Sequence, residues 1–176
     1  MTGHVFSGGL VLLLASSMRG MSADTGALLL QAVPFARTLG ITFDARPDTS
    51  GGPSDDGRAT CRLPDREDLH NHVAGPHAGA IFTLAESAAA AAMLTAFADQ
   101  LTRAVPLVTG STVRYHKLAR GEVTARARLL ASREEVLARL DTGERPEFEV
   151  EVEVERADGA VVATVVIGWT LRPSDS

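Results

Sequence analysis

Between Asp68 and Asp99 the chain carries one member of the Asp, Glu, Lys and Arg group, Glu86, although those types make up 22% of the sequence. Its neighbours are Ala, Leu, Phe and Ile, which strip water from a carboxylate and move its pKa up toward the range useful for general-base work near neutrality. The same group could instead attack an acyl carbon and pass through a mixed anhydride. Upstream, His77, Ala78 and Gly79 open the apolar run. A helix starting there presents unpaired N–H groups and partial positive charge, which suits an oxyanion developing on a carbonyl. Gly79 lets a ligand approach the backbone closely. Asn71 lies just before, flanked by His70 and His72. Two imidazoles and a carboxylate suffice for zinc or iron, so His70, His72 and His77 with Glu86 form an alternative metal set at irregular spacing. Each residue also has a plainer reading: Glu86 paired with Arg114, Asn71 capping its own loop, His77 orienting that loop. Tyr115 and Trp169 read as packing residues.

These groups need elements to place them. From Thr25 to Leu39 the apolar residues Leu28, Leu29, Ala32, Phe35, Ala36 and Leu39 recur at helical spacing, with Gly40 as the stop and Pro34 as a break or kink. Ile41 to Arg46 alternates as a strand, Pro47 to Gly57 has loop composition, and Arg58 to Leu63 resumes the alternation. The run after Pro76 predicts a helix ending near Leu101 or Thr102, before Pro106. It is apolar all round, so other structure must surround it. Ala78 to Ala98 is long enough to span a bilayer, but Glu86 near its middle costs a few kcal/mol there, and burial in protein is the better reading.

Strands follow at Val108 to Lys117 and Glu122 to Leu130, separated by the turn-sized gap Ala119, Arg120 and Gly121. Ser132 with Glu135 matches a capping box for a short helix reaching Leu140. The segment FEVEVEVE, Phe148 to Glu155, predicts a strand with one buried and one wet face. Asp158-Gly159 supplies a hairpin turn, and Val161 to Leu171, apolar on both faces, reads as a central strand. The result is an α+β fold in which a largely antiparallel sheet curls round one helix.

A chain of 176 residues fits one domain, taken as residues 25–176 after a disordered N-terminal extension, residues 1–24. The apolar stretch Leu10 to Ala15 has no Lys or Arg before it, unlike a secretory signal. A single cysteine, Cys61, cannot form an internal disulfide and fits a reducing cytoplasm. The net charge of −5 and the absence of a Lys/Arg cluster argue against a nucleic-acid partner. A membrane partner is not expected either.

With these residues in view, the sequence resembles the hotdog-fold thioesterases, in particular the bacterial branch related to phenylacetic-acid-type and 4-hydroxybenzoyl-CoA thioesterases. The resemblance rests on Asn71, then His77, Ala78 and Gly79, then Glu86, and on an element order running from Leu28 to Arg172. It implies that Glu86 is general base or nucleophile, that Asn71 helps hold the thioester or the water, and that the amide of Ala78 or Gly79 binds the carbonyl oxygen. The family often has glycine where this chain has Ala78. Many members place a Ser or Thr early on the next strand, which points to Thr109, Ser111 or Thr112. The implied substrate is an acyl-CoA or acyl-carrier thioester, cleaved with no cofactor or metal. Glu86 lies nine residues past His77, about 13 Å along the axis and on the opposite side, so one thioester cannot reach both ends. A second subunit would unite them, giving a homodimer or a tetramer with sites at the interface. The rival is an acyl-binding protein of the same fold without catalysis. A metal hydrolase and a hotdog dehydratase rank below it, the latter for want of its Asp/His arrangement.

Overall fold

A computed structural model describes residues 33–44 and 57–174. It contains helices α1 (Pro34–Thr38), α2 (Ala78–Phe97) and α3 (Arg133–Asp141) and strands β1 (Thr42–Phe43), β2 (Arg58–Leu63), β3 (Ala104–Tyr115), β4 (Val123–Leu129), β5 (Glu147–Arg156) and β6 (Val161–Pro173). The strands form one sheet in the order β1-β2-β4-β5-β6-β3, and every neighbouring pair is antiparallel. Helix α2 packs on β2, β4, β5 and β6. This is the expected α+β arrangement of a single sheet around one long helix.

The alanines explain how closely helix and sheet can approach. Ala85, Ala88, Ala89 and Ala92 are fully buried, and their small side chains leave room for the valines of the facing strands. In β5, Phe148, Val150, Val152 and Val154 all point inward, each stabilising the fold by about 1.5–3 kcal/mol relative to exposure. Phe148 meets Phe97 at the far end of α2, with ring centroids 5.0 Å apart. The glutamates of β5 face outward, where Glu151 pairs with Arg128 and Glu155 with Arg126. Ser132 caps α3 as its spacing indicates, accepting from the Glu135 amide.

Several boundaries differ from the sequence reading, for identifiable reasons. Pro34 opens α1 at a position where its missing N–H costs nothing, which agrees with the break expected there. Residues 25–32 of that expected helix, residues 45–46 of the first strand, residues 47–56 of the loop and the N-terminal extension lie outside the described residues. Helix α2 stops at Phe97 and continues as a tight turn over Ala98–Gln100. Strand β3 starts at Ala104 and runs through Pro106, which is tolerated because β3 is an edge strand. The short 116–122 connection does not make a hairpin: β5 and β6 lie between β3 and β4. Ala78–Gln100 is apolar enough to cross a membrane, yet 72% of its most apolar window is buried within the fold. The helix is not enclosed all round, because Gly79, Phe82, Thr83 and Glu86 are not fully buried.

Candidate active site

The loop before α2 is shaped by Asn71. Its Oδ1 accepts from the amides of Val73 and Gly75 at 3.0 and 3.4 Å, and its Nδ2 approaches the Pro76 carbonyl at 3.5 Å. The Asn71 amide donates to the Gly75 carbonyl at 2.8 Å. Gly75 is required here, since a Cβ would sit 2.2 Å from the Ala119 carbonyl oxygen. His70 and Pro76 close the loop as an antiparallel bridge, and His77 follows directly.

His77 caps α2. Its Nδ1 accepts the Gly79 amide hydrogen at 2.9 Å, and its carbonyl accepts from Ile81. A glycine suits the second helical position, because an added Cβ would lie 3.2 Å from Nδ1. With Nδ1 accepting, a neutral ring carries its proton on Nε2. The Gly79 amide is therefore engaged, while the Ala78 and Ala80 amides have no hydrogen-bond partner among the described residues. From the edge of the sheet, the Tyr115 hydroxyl donates to the Ala78 carbonyl at 3.0 Å. Tyr115 thus fastens the end of β3 to the first turn of α2, more than the packing role its sequence context suggests. Burial pushes its phenol pKa up.

A cavity of about 690 Å³ opens beside this helix start, lined by Gly79, Ala80, Phe82, Thr83 and Glu86 of α2, by His70 and His77, and by Phe35 of α1 with its neighbours Val33 and Leu39. Of these, Gly79, Phe82, Thr83 and Glu86 follow helical-face spacing. Counted from Gly79 rather than His77, Glu86 is seven residues on and returns to the same side, about 10.5 Å along the axis. One groove therefore connects the helix start to the carboxylate. Glu86 is half-buried and its pKa is raised by loss of hydration. No cation or hydrogen-bond donor among the described residues reaches it. Arg114 sits opposite Thr164, on the sheet face away from the buried Val165, and makes no pair with Glu86.

The remaining candidates are scattered. Ala78 is exposed at the helix start but does not line the cavity, and neither do Asn71, Thr109 and Ser111. Thr109 occupies a bulge in β3, with its Oγ1 2.8 Å from where a Cβ on Gly168 would be. Gly168 makes room for it on the outer face. Ser111 lies opposite Ile167, on the helix side, and is exposed at the sheet edge. Among the described residues no three of His, Cys, Asp and Glu gather as a metal group would, so His70, His72, His77 and Glu86 do not form one. His70 instead pairs with Asp65 at 2.7 Å, a contact the sequence reading did not anticipate.

The fold matches solved structures. A Pseudomonas aeruginosa protein of unknown function, described as a probable thioesterase, is 26% identical with a TM-score of 0.71 over 85% of this chain and 94% of that chain. A thioesterase family protein from Silicibacter pomeroyi is 18% identical, with a TM-score of 0.66 over 88% and 100% of the two chains. The E. coli PaaI protein from the phenylacetic acid degradation operon is 16% identical, with a TM-score of 0.61 over 96% of each chain. No curated protein sequence matches. The family model described as Domain of unknown function (DUF4442) matches residues 25–171. The chain belongs to that family, and its single antiparallel sheet around α2 is the hotdog fold of the thioesterase structures it resembles.

Proposed function

We propose that the protein is a thioesterase that hydrolyses an acyl-CoA or acyl-carrier thioester without a metal, with Glu86 as general base or nucleophile. The observation that carries this is the state of Glu86: a half-buried carboxylate, unpaired among the described residues, facing a cavity that begins at a helix N-terminus. Such a group is poorly hydrated and basic enough to take a proton from water. The Ala80 amide, unpaired among the described residues, and the Nε2–H of His77 belong to residues on the cavity wall and supply donors for a developing oxyanion, with the Ala78 amide at the same helix start. The probable-thioesterase description of the 26% identical structure supports the same reading. Asn71 contributes by holding the loop that delivers His77.

The site completes itself in a homodimer. Strand β3 has 12 residues, pairs on one side with β6, and has no strand on its other side among the described residues. Val108 and Tyr115 on this edge are 47% and 51% exposed. A long edge with apolar side chains invites pairing with a second copy. Joining two β3 edges brings the helix start of each copy, with Ser111, toward the groove of the other. Cytoplasmic action belongs to the same reading, because a single cysteine cannot form an internal disulfide and nothing calls for an oxidising compartment.

The test is release of free thiol from a series of short, medium, long and aryl acyl-CoA substrates, with Glu86→Ala alongside. Turnover that survives this substitution removes the mechanism. Tight acyl-CoA binding without hydrolysis would instead identify an acyl-binding protein, a reading favoured by the engagement of Asn71 in its own loop.

A further inference from the structure

The loop before α2 holds an acid–base pair that none of these roles uses. His70 Nε2 lies 2.7 Å from Asp65 Oδ1, and 23% of the His70 side chain is exposed. A carboxylate at that distance holds a proton on Nε2. Nδ1 is then the ring atom left to exchange a proton, and it has no partner among the described residues. Backbone contacts fix where the ring sits: the His70 amide donates to the Glu67 carbonyl at 3.0 Å, and His70 bridges Pro76 immediately before His77. His70, His77 and Glu86 line one cavity. Among the described residues the only other charged group on its wall is Asp68, which Arg66 holds ionised.

Thioester hydrolysis moves two protons, and Glu86 accounts for one of them. The other must reach the sulfur, because an alkyl thiolate is a basic leaving group. We propose that His70, oriented by Asp65, is the general acid that protonates this thiolate, an inference that rests on the thioesterase reading. Water attacks the carbonyl carbon while Glu86 takes its proton. The carbon–sulfur bond then breaks with its electron pair on sulfur, and the Nδ1 proton of the imidazolium passes to that sulfur. The products are a carboxylic acid and a free thiol. Glu86 returns its proton to solvent, and Nδ1 takes one from solvent. Asp65 contacts no reacting atom and is a positioning residue.

The leaving group supplies the test. Wild-type protein, His70→Gln and Asp65→Asn are assayed on an acyl-CoA and on a nitrothiophenyl thioester of the same acid, whose acidic thiol leaves without a proton. His70→Gln should lose about 100-fold or more in kcat on the CoA thioester and only a few-fold on the aryl thioester. Asp65→Asn should show the same selective loss, smaller in size, and its ratio between the two substrates decides the matter if His70→Gln does not fold. Equal losses on both substrates, or an unchanged rate on the CoA thioester, would overturn His70 while leaving Glu86 in place. A wild-type protein that releases thiol from neither substrate overturns the thioesterase reading and this role with it.

Discussion

His77 Nδ1 accepts the amide hydrogen of Gly79 at 2.9 Å, so one imidazole both caps α2 and directs an Nε2–H from a residue on the cavity wall. The two roles separate by substitution. Asparagine is a good N-cap and alanine a poor one, the difference being about 1 kcal/mol. His77→Asn should therefore unfold in denaturant close to wild type, and His77→Ala about 1 kcal/mol earlier. Thiol release should fall by about 100-fold in both, the cost of losing one oxyanion donor. Full activity in His77→Asn would reduce this residue to a cap.

Asn71 gives a different pattern, because its side chain serves the loop. An aspartate in its place would keep the oxygen that accepts from Val73 and Gly75 and lose only the long contact to Pro76. Asn71→Asp should keep stability within about 0.5 kcal/mol and most of the turnover, since Asp also favours such turns. Asn71→Ala should lose about 1–2 kcal/mol by leaving loop amides unpaired. A collapse of activity in a stable Asn71→Asp protein would put the amide nitrogen on the substrate.

What could be read from the sequence was local. The alternation that ends in Cys61 and Leu63 gave β2 its full extent, and the glutamates of β5 showed its wet face before any coordinates. Glu86, His77 and Gly79 stood out because the run around them is empty of charge. The rest depends on partners distant in sequence. The sequence predicts the strand only from Val108, beyond Pro106, and a place at the sheet edge is what lets Pro106 sit inside β3. Tyr115 reaches Ala78 across 37 positions, and no spacing rule covers that distance. His70 and Asp65 are close in the chain, but nothing in their types separates a pair on a cavity wall from an ordinary surface pair.

The pH dependence of stability should report on Glu86. Burial raises its pKa above the ordinary value of 4.5, so the folded state holds the proton more tightly than the unfolded chain. Its favourable contribution is complete below the unfolded pKa and is lost as pH rises through the raised folded value. At neutral pH the ionised carboxylate therefore costs stability, as functional groups often do. Glu86→Gln should melt at a higher Tm than wild type at pH 7, with the gap closing toward pH 4, and should release no thiol at either pH. A lower Tm for Glu86→Gln at pH 7 would reveal a partner that compensates the charge.

The edge of β3, without a strand partner among the described residues, makes the strongest demand on a second copy. Val108 is 47% exposed on that edge and lies opposite the buried Trp169, which places it on the helix side of the sheet. Lysine at this position can extend into water in a single copy, so the fold should survive. Across a two-fold axis it would meet its own symmetry mate or the partner's apolar edge, and charged edge residues are a common means of preventing such pairing. Val108→Lys should sediment as a monomer where wild type sediments as a dimer, with an unchanged far-ultraviolet circular dichroism spectrum. Because the proposed site draws Ser111 and the helix start of the other copy toward each groove, thiol release should fall in proportion to the dimer lost and recover at high protein concentration. A monomeric Val108→Lys protein with full turnover at every concentration would place the entire site within one chain and end the shared-site reading.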